Sequence, residues 1–184
     1  MYKIYLNYMK FEDLLYIIKN RRSIRSYEKK DVENEKIDII LEAGQWSPSA
    51  GNLQSIEYIV VKGQNIKKEL YKACLYQNHV LEAPVDIVVC CNMNKIKHYG
   101  ERGYSLYTLQ ESGAAIQNML LTAFSLGLGT CWVGAFDEDY VKNILKIPDH
   151  VRPVAIITVG YPKEKVYSSR RKLKDIVFYE GYRH

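Results

Sequence analysis

The 184-residue chain has no uninterrupted apolar run approaching the roughly 20 residues that a membrane-spanning helix needs. No membrane partner is therefore expected. Its first ten residues lack both the apolar stretch and the small-residue cleavage site of a secretory signal, so a cytoplasmic location is the expectation. Cysteine is scarce: Cys74, Cys90, Cys91 and Cys131 form no Cys-x-x-Cys pair, and His79, His98, His150 and His184 show no ligand spacing. Reduced, mostly buried thiols are expected rather than a metal site. The Walker pattern is missing, and Ser23 has no accompanying His/Asp motif, so neither a P-loop nor a hydrolase triad is supported. No repeat, low-complexity tract or Pro/Gly/Ser-rich linker interrupts the sequence, which reads as one domain over residues 1–184.

What is present is the composition of an ordinary folded domain, 47% hydrophobic and 26% charged, with a formal net charge of +5. A nucleic-acid binder could carry that charge. The basic residues are scattered, however, with Lys29-Lys30, Lys67-Lys68 and Arg170-Arg171-Lys172 among the short clusters. A few contacts to a phosphorylated cofactor account for the charge at least as well.

Hydrophobic periodicity predicts helices over 11–19, 33–45, 65–76, 109–126 and 138–145, and strands over 58–61, 85–91, 130–133 and 153–160. In the second helix Ile37, Ile40, Leu41 and Trp46 are expected on one side, with a stop at Ser47-Pro48. The β-branched run 85–91 suits a strand covered on both faces, with Cys90 and Cys91 pointing opposite ways. In the long helix Ile116, Met119, Leu120 and Ala123 share a face, Gly113 to Ala115 permit close packing, and Gly127-Leu-Gly129 stops it. Residues 92–106, polar and glycine-containing, are expected as a lid or surface loop. Helices and strands interleave without regular βαβ units, so the fold class is α+β rather than doubly wound α/β.

Four segments could carry chemistry. Arg21-Arg22-Ser23-Ile24-Arg25 puts three guanidiniums and a hydroxyl within five residues, a good clamp for phosphate, placed by the apolar helix before it. A solvated basic turn is equally compatible with it. The loop Pro48-Ser49-Ala50-Gly51-Asn52-Leu53-Gln54 offers backbone donors, a hydroxyl and two carboxamides suited to a flavin or nucleobase edge; a plain turn with a left-handed Asn would look the same. Residues 127–134 have the glycine spacing G-x-G-x-x-x-x-G between a helix and a strand, the reverse of a dinucleotide fingerprint, which is rejected. Close approach to a planar ligand would explain Gly134, and so would tight core packing. Arg170-Arg171-Lys172, past the last strand, suits a phosphate monoester or a solvated tail.

In this order the segments 21–25, 47–54, 99–103 (Tyr-Gly-Glu-Arg-Gly), 114–121 (Ala-Ala-Ile-Gln-Asn-Met-Leu-Leu), 127–136 and 159–162 (Val-Gly-Tyr-Pro) resemble the nitroreductase family, specifically its short single-domain members. The resemblance runs from about Phe11 to Tyr179. It implies a central, mostly antiparallel sheet flanked by helices, and an intertwined homodimer with two FMN sites at the subunit interface. By the same resemblance Arg21, Arg22, Ser23 and Arg25 hold the phosphate, the ribityl chain and one edge of the isoalloxazine. Pro48, Ser49, Ala50 and Asn52 approach that flavin from the partner subunit, and the backbone of Val133 and Gly134 passes beside its ring. Arg170 and Arg171 complete the phosphate clamp, and Gln77 and Arg102 lie where short members also touch the cofactor.

The activity implied is ping-pong: NADH or NADPH reduces the flavin, and a small acceptor such as a nitroaromatic or quinone then reoxidises it. No side chain need act as nucleophile, so no catalytic residue is named. Flavin binding without turnover, and dehalogenating or flavin-destroying chemistry, are the alternatives; the latter relatives carry extra lid segments, for which only 92–106 offers space. Two departures stand out. Ser55 follows Gln54 where the family usually has proline, so that loop is expected to be less rigid. Arg170-Arg171-Lys172-Leu173 replaces Arg-Lys-Pro-Leu, which leaves open the basic side chain that meets the phosphate.

Overall fold

A computed structural model describes residues 10–182. The leader reading and the ends of the 1–184 span thus fall partly outside the described residues. Four strands, β1 (Ile56–Val61), β2 (Val85–Asn92), β3 (Gly129–Val133) and β4 (Val151–Gly160), form one sheet in the order β1-β2-β4-β3, with every neighbouring pair antiparallel. The helices include α1 (Phe11–Asn20), α2 (Asn34–Gln45), α3 (Gln64–Ala73) and α4 (Asn78–Glu82). They continue with the short turns α5 (Met93–Ile96) and α6 (Gly100–Arg102), then α7 (Thr108–Ser125) and α8 (Glu138–Leu145). The α+β expectation holds, and the sheet is antiparallel throughout.

Alternation along β2 builds two cores. Ile87 and Val89 join α2 and α7 through Ile37, Ile40, Ile116 and Met119, while Val88 and Cys90 face Leu70 of α3 and Val141 of α8. The sheet is therefore sandwiched between helical layers, as its continuous β-branched run foretold. Cys91 turns away from Cys90, with its Sγ 3.7 Å from the Thr108 carbonyl oxygen. All four cysteines are buried free thiols. β4 begins two residues earlier than expected and contains Pro153, which the sheet tolerates because the β2 register shifts beside it, between Val89 and Cys90. Gly127, at φ 75°, ends α7, and the Leu128 N–H donates to the Ala123 oxygen.

Three expectations are corrected. Trp46 lies beyond the end of α2 and is 79% exposed, whereas Ile37 and Ile40 are buried. The helix stops one residue short of placing the indole on its apolar side. Residues 92–106 lie largely at the surface, as expected, but not as a loop: past Asn92, the end of β2, they wind into successive helical turns, including a π-helical turn at Gly103–Tyr107, and bury Ile96 and Gly103. Finally, α1 is amphipathic but buries none of its residues, and Phe11 is 70% exposed. Ile17 is half-buried and α1 touches α7, so the helix ties the basic segment to the core only lightly.

What anchors that segment is the sheet edge. Ser23 forms a parallel bridge with Thr130 on the outer side of β3, and the Ile24 N–H donates to the Thr130 oxygen at 2.8 Å. Tyr27 pairs with Pro162 just after β4, so residues 21–27 run beside β3 and meet the chain that leads to the C-terminal basic cluster.

Candidate functional site

Arg21 and Arg22 follow α1 directly and line a cavity of about 340 Å³ with Tyr16, Thr130, Glu164, Lys165 and Tyr167. Arg22 Nη1 donates to the Lys19 and Arg21 carbonyl oxygens at 2.5 and 2.8 Å, covering carbonyls that α1 leaves open at its C-terminus. The Nε atoms of both arginines are buried with no hydrogen-bond partner. Burial, followed by the like charges of Arg170 and Arg22, lowers the pKa of Arg21. Arg170 has thus come back from the far end of the chain to this cluster. Among the described residues, Arg21, Arg22 and Arg170 form no ion pair. Two partly buried guanidiniums with unused Nε donors and no ion-pair partner, beside exposed Arg170, make a site for an anion.

Sequence reading missed Glu164. It lines the same cavity, and its Oε1 accepts from the Arg25 and Ser26 N–H groups at 2.6 and 3.2 Å, fixing the end of the basic segment. No local pattern could signal a contact spanning 139 residues.

Arg25 is exposed, and its charge bears on Cys131 and on buried His79 of α4, whose pKa is lowered by burial and then by Arg25. Gln77, at the start of α4, donates from Nε2 to the Ala135 oxygen at 3.0 Å. Arg25, Gln77 and the end of β3 are thereby gathered at one end of the sheet. The Val133 side chain is inside the second core, so only its backbone is available to a ligand. Gly134 is exposed, and a Cβ built on it would meet nothing within 4 Å. Of the two explanations open for that glycine, tight core packing is removed and approach of a ligand remains. Gly134→Leu is accordingly expected to leave the thermal midpoint of the apoprotein within about 2 °C, since surface changes usually cost under about 0.5 kcal/mol. A planar ligand that approaches the backbone here should bind at least tenfold more weakly to the variant in equilibrium titration.

The second loop lies elsewhere. Pro48, Ser49, Ala50 and Asn52 do not line the Arg21–Arg22 cavity. Gly51, Asn52 and Gln54 have φ of 58, 55 and 52°, so the left-handed Asn is present. Ser49 Oγ accepts from the Gln54 N–H at 3.1 Å, and Asn52 Oδ1 from Gln54 Nε2 at 3.2 Å. The Tyr99 hydroxyl abuts Gly51, 2.6 Å from where a Cβ would stand. Three residues beyond it is Arg102, whose Nε donates to the Tyr107 hydroxyl at 3.0 Å. The site residues thus form two groups within the chain: the basic segment, α4, the end of β3 and Arg170 on one side, the 48–54 loop with Arg102 on the other. Arg171 is exposed and donates to the Asp175 oxygen at 2.9 Å.

These residues fit FMN. Orphaned guanidinium nitrogens suit a phosphate, and the open space beside Gly134 suits a flat ring system.

The model of the "Nitroreductase family" matches residues 18–83 and 73–161. The chain belongs to the nitroreductase family. A Methanothermobacter thermautotrophicus protein, provisionally named NADH dehydrogenase/NAD(P)H nitroreductase, is 40% identical over 156 residues, 83% of this chain and 78% of its own. The Bacillus subtilis FMN reductase (NADPH) is 29% identical over 89% of this chain and 72% of its own. A Parabacteroides distasonis crystal structure with the same provisional double name superimposes with a TM-score of 0.82 at 30% identity, covering 91% of this chain and 98% of that one.

Proposed function

We propose that this chain is an FMN-dependent NAD(P)H oxidoreductase that works as a homodimer and delivers reducing equivalents to a small acceptor such as a nitroaromatic or a quinone. The single observation that carries the reading is the cluster of Arg21, Arg22 and Arg170, in which the Arg21 and Arg22 Nε atoms are buried without partners and, among the described residues, no guanidinium is ion-paired.

In this reading residues 1–184 act as one domain in the cytoplasm, where nicotinamide nucleotides are abundant. Arg21, Arg22, Ser23, Arg170 and Arg171 bind the phosphate and ribityl chain. Arg25 and Gln77 face the polar edge of the isoalloxazine, where a cation favours the uptake of electrons. The backbone at Val133 and Gly134 leaves room for the ring. FMN, when bound, supplies the hydride chemistry, and the protein supplies position and field.

Two features support a dimer in which the partner's loop completes each site. Among the described residues α1 fully buries none of its apolar side chains, and Trp46 and Tyr167 are 79% and 87% exposed; exposed apolar surface of this kind marks interfaces. Pro48, Ser49, Ala50 and Asn52 lie off the cavity of their own protomer, as residues that serve the neighbour's flavin would.

The purified protein should be yellow, and NADH or NADPH should bleach it anaerobically until a quinone or nitroaromatic restores the colour. A colourless protein that takes up no added FMN overturns the proposal, and one that binds FMN without being bleached reduces it to a flavin carrier.

A further inference from the structure

The 48–54 loop holds two non-glycine residues, Asn52 and Gln54, at positive φ, a conformation that persists only where the surroundings impose it. Ser55 is fully buried, and each of its polar groups is used. Its N–H donates to Glu111 Oε1 at 2.7 Å, its hydroxyl to Glu111 Oε2 at 2.8 Å, and its carbonyl accepts from the Asn92 N–H at 2.8 Å. Glu111 is itself buried, in the first turn of α7, the helix whose next turns form the main core. One rigid carboxylate therefore grips the residue through which the loop enters β1. Lys95 adds a bond from Nζ to the Gln54 oxygen at 3.2 Å.

We propose that Glu111 is a positioning residue for cofactor binding, its buried carboxylate clamping Ser55 so that the 48–54 loop keeps the shape in which it meets the flavin. The inference rests on the reading above that this loop contacts FMN. It also reverses the expectation of a less rigid loop. A proline at position 55 would have no N–H and no hydroxyl to offer Glu111, whereas serine offers both, and the pair anchors the loop by hydrogen bonds instead of by a ring.

The experiment compares Ser55→Ala, Glu111→Leu and the double variant Ser55→Ala/Glu111→Leu with the wild type. Apoprotein is titrated with FMN, and thermal midpoints are recorded in parallel. Glu111→Leu alone leaves the Ser55 N–H and hydroxyl buried without their acceptor and should lower the midpoint. The double variant removes the orphaned hydroxyl and should recover part of the loss. FMN affinity should not recover: at least a tenfold loss is expected in the double variant despite its higher midpoint, with a smaller loss in Ser55→Ala. A purely structural role would restore affinity and midpoint together, so FMN binding within twofold of wild type in the double variant or in Ser55→Ala overturns the proposal. If the wild type takes up no FMN, the functional reading itself falls, and the positioning role with it.

Discussion

Replacing Arg21 and Arg170 together with alanine is expected to give a protein that folds and purifies without colour. Hydrogen bonds to charged groups contribute about 1.5–3 kcal/mol each, so losing two phosphate contacts should cost about 3–6 kcal/mol, or roughly 10²–10⁴ in FMN affinity. The apoprotein should not suffer in the same way. Arg21 is held in a half-buried position beside two like charges, its pKa lowered by burial, Arg170 and Arg22, and its Nε has no partner. Removing Arg170 relieves repulsion, so the apo midpoint should stay level or rise slightly. Titration of apoprotein with FMN, with thermal melts beside it, reads both effects. Lost stability with retained affinity would show that these arginines serve the fold instead.

Lys67→Met should destabilise the fold by about 3–5 kcal/mol without touching the site. Lys67 of α3 and Asp86 of β2 are both 0% exposed and form a direct ion pair, and Lys67 Nζ also donates to the Val80 oxygen at 2.7 Å. Burial pushes the Asp86 carboxyl from 3.8 up to about 7 even though Lys67 pulls it down, and its Oδ1 has no partner. Without the ammonium, that carboxyl rises further and stays protonated in the folded chain while the unfolded chain ionises. A folded-state pKa above the unfolded one means stability that is full below pH 4 and drains as pH rises toward the folded value. The deficit of the variant should therefore be larger at pH 8 than at pH 5 in urea unfolding. Adding Asp86→Leu should return most of the loss, since a well-packed apolar pair can replace a buried ion pair at little cost. An equal deficit at both pH values would contradict this account of the pair.

Local signals carried much of the fold. The β-branched run of β2 and the four-residue spacing of Ile116, Met119, Leu120 and Ala123 are patterns that only a doubly covered strand and a core-facing helix satisfy, and all of these residues but the last of β2 are buried. What failed was whatever depended on a distant surface. The apolar residues of α1 promised a core, yet among the described residues none of them is fully buried, and Trp46 sits one residue past the helix that was to orient it. The polar segment 92–106 folded into helical turns because Ile96 and Gly103 found a packed environment that their neighbours did not advertise. In the site, the basic motif and the loop were legible as motifs, and Arg170 does lie close to Arg21. Glu164 and Glu111 were not legible, because each acts on backbone N–H groups far away in sequence, a kind of contact that leaves no residue-type signature.

The central claim is that each FMN site is composite, with guanidiniums from one protomer and the 48–54 loop from the other. Its most direct test is a heterodimer, purified by two different tags, of one Arg21→Ala/Arg170→Ala chain and one Ala50→Trp chain. Each variant alone should form a homodimer that binds no FMN. In the heterodimer all the damage falls on one of the two symmetric sites, so the account predicts about one FMN per dimer against about two in the wild type. A heterodimer as empty as its parents, or chains that stay monomeric in solution, would contradict it.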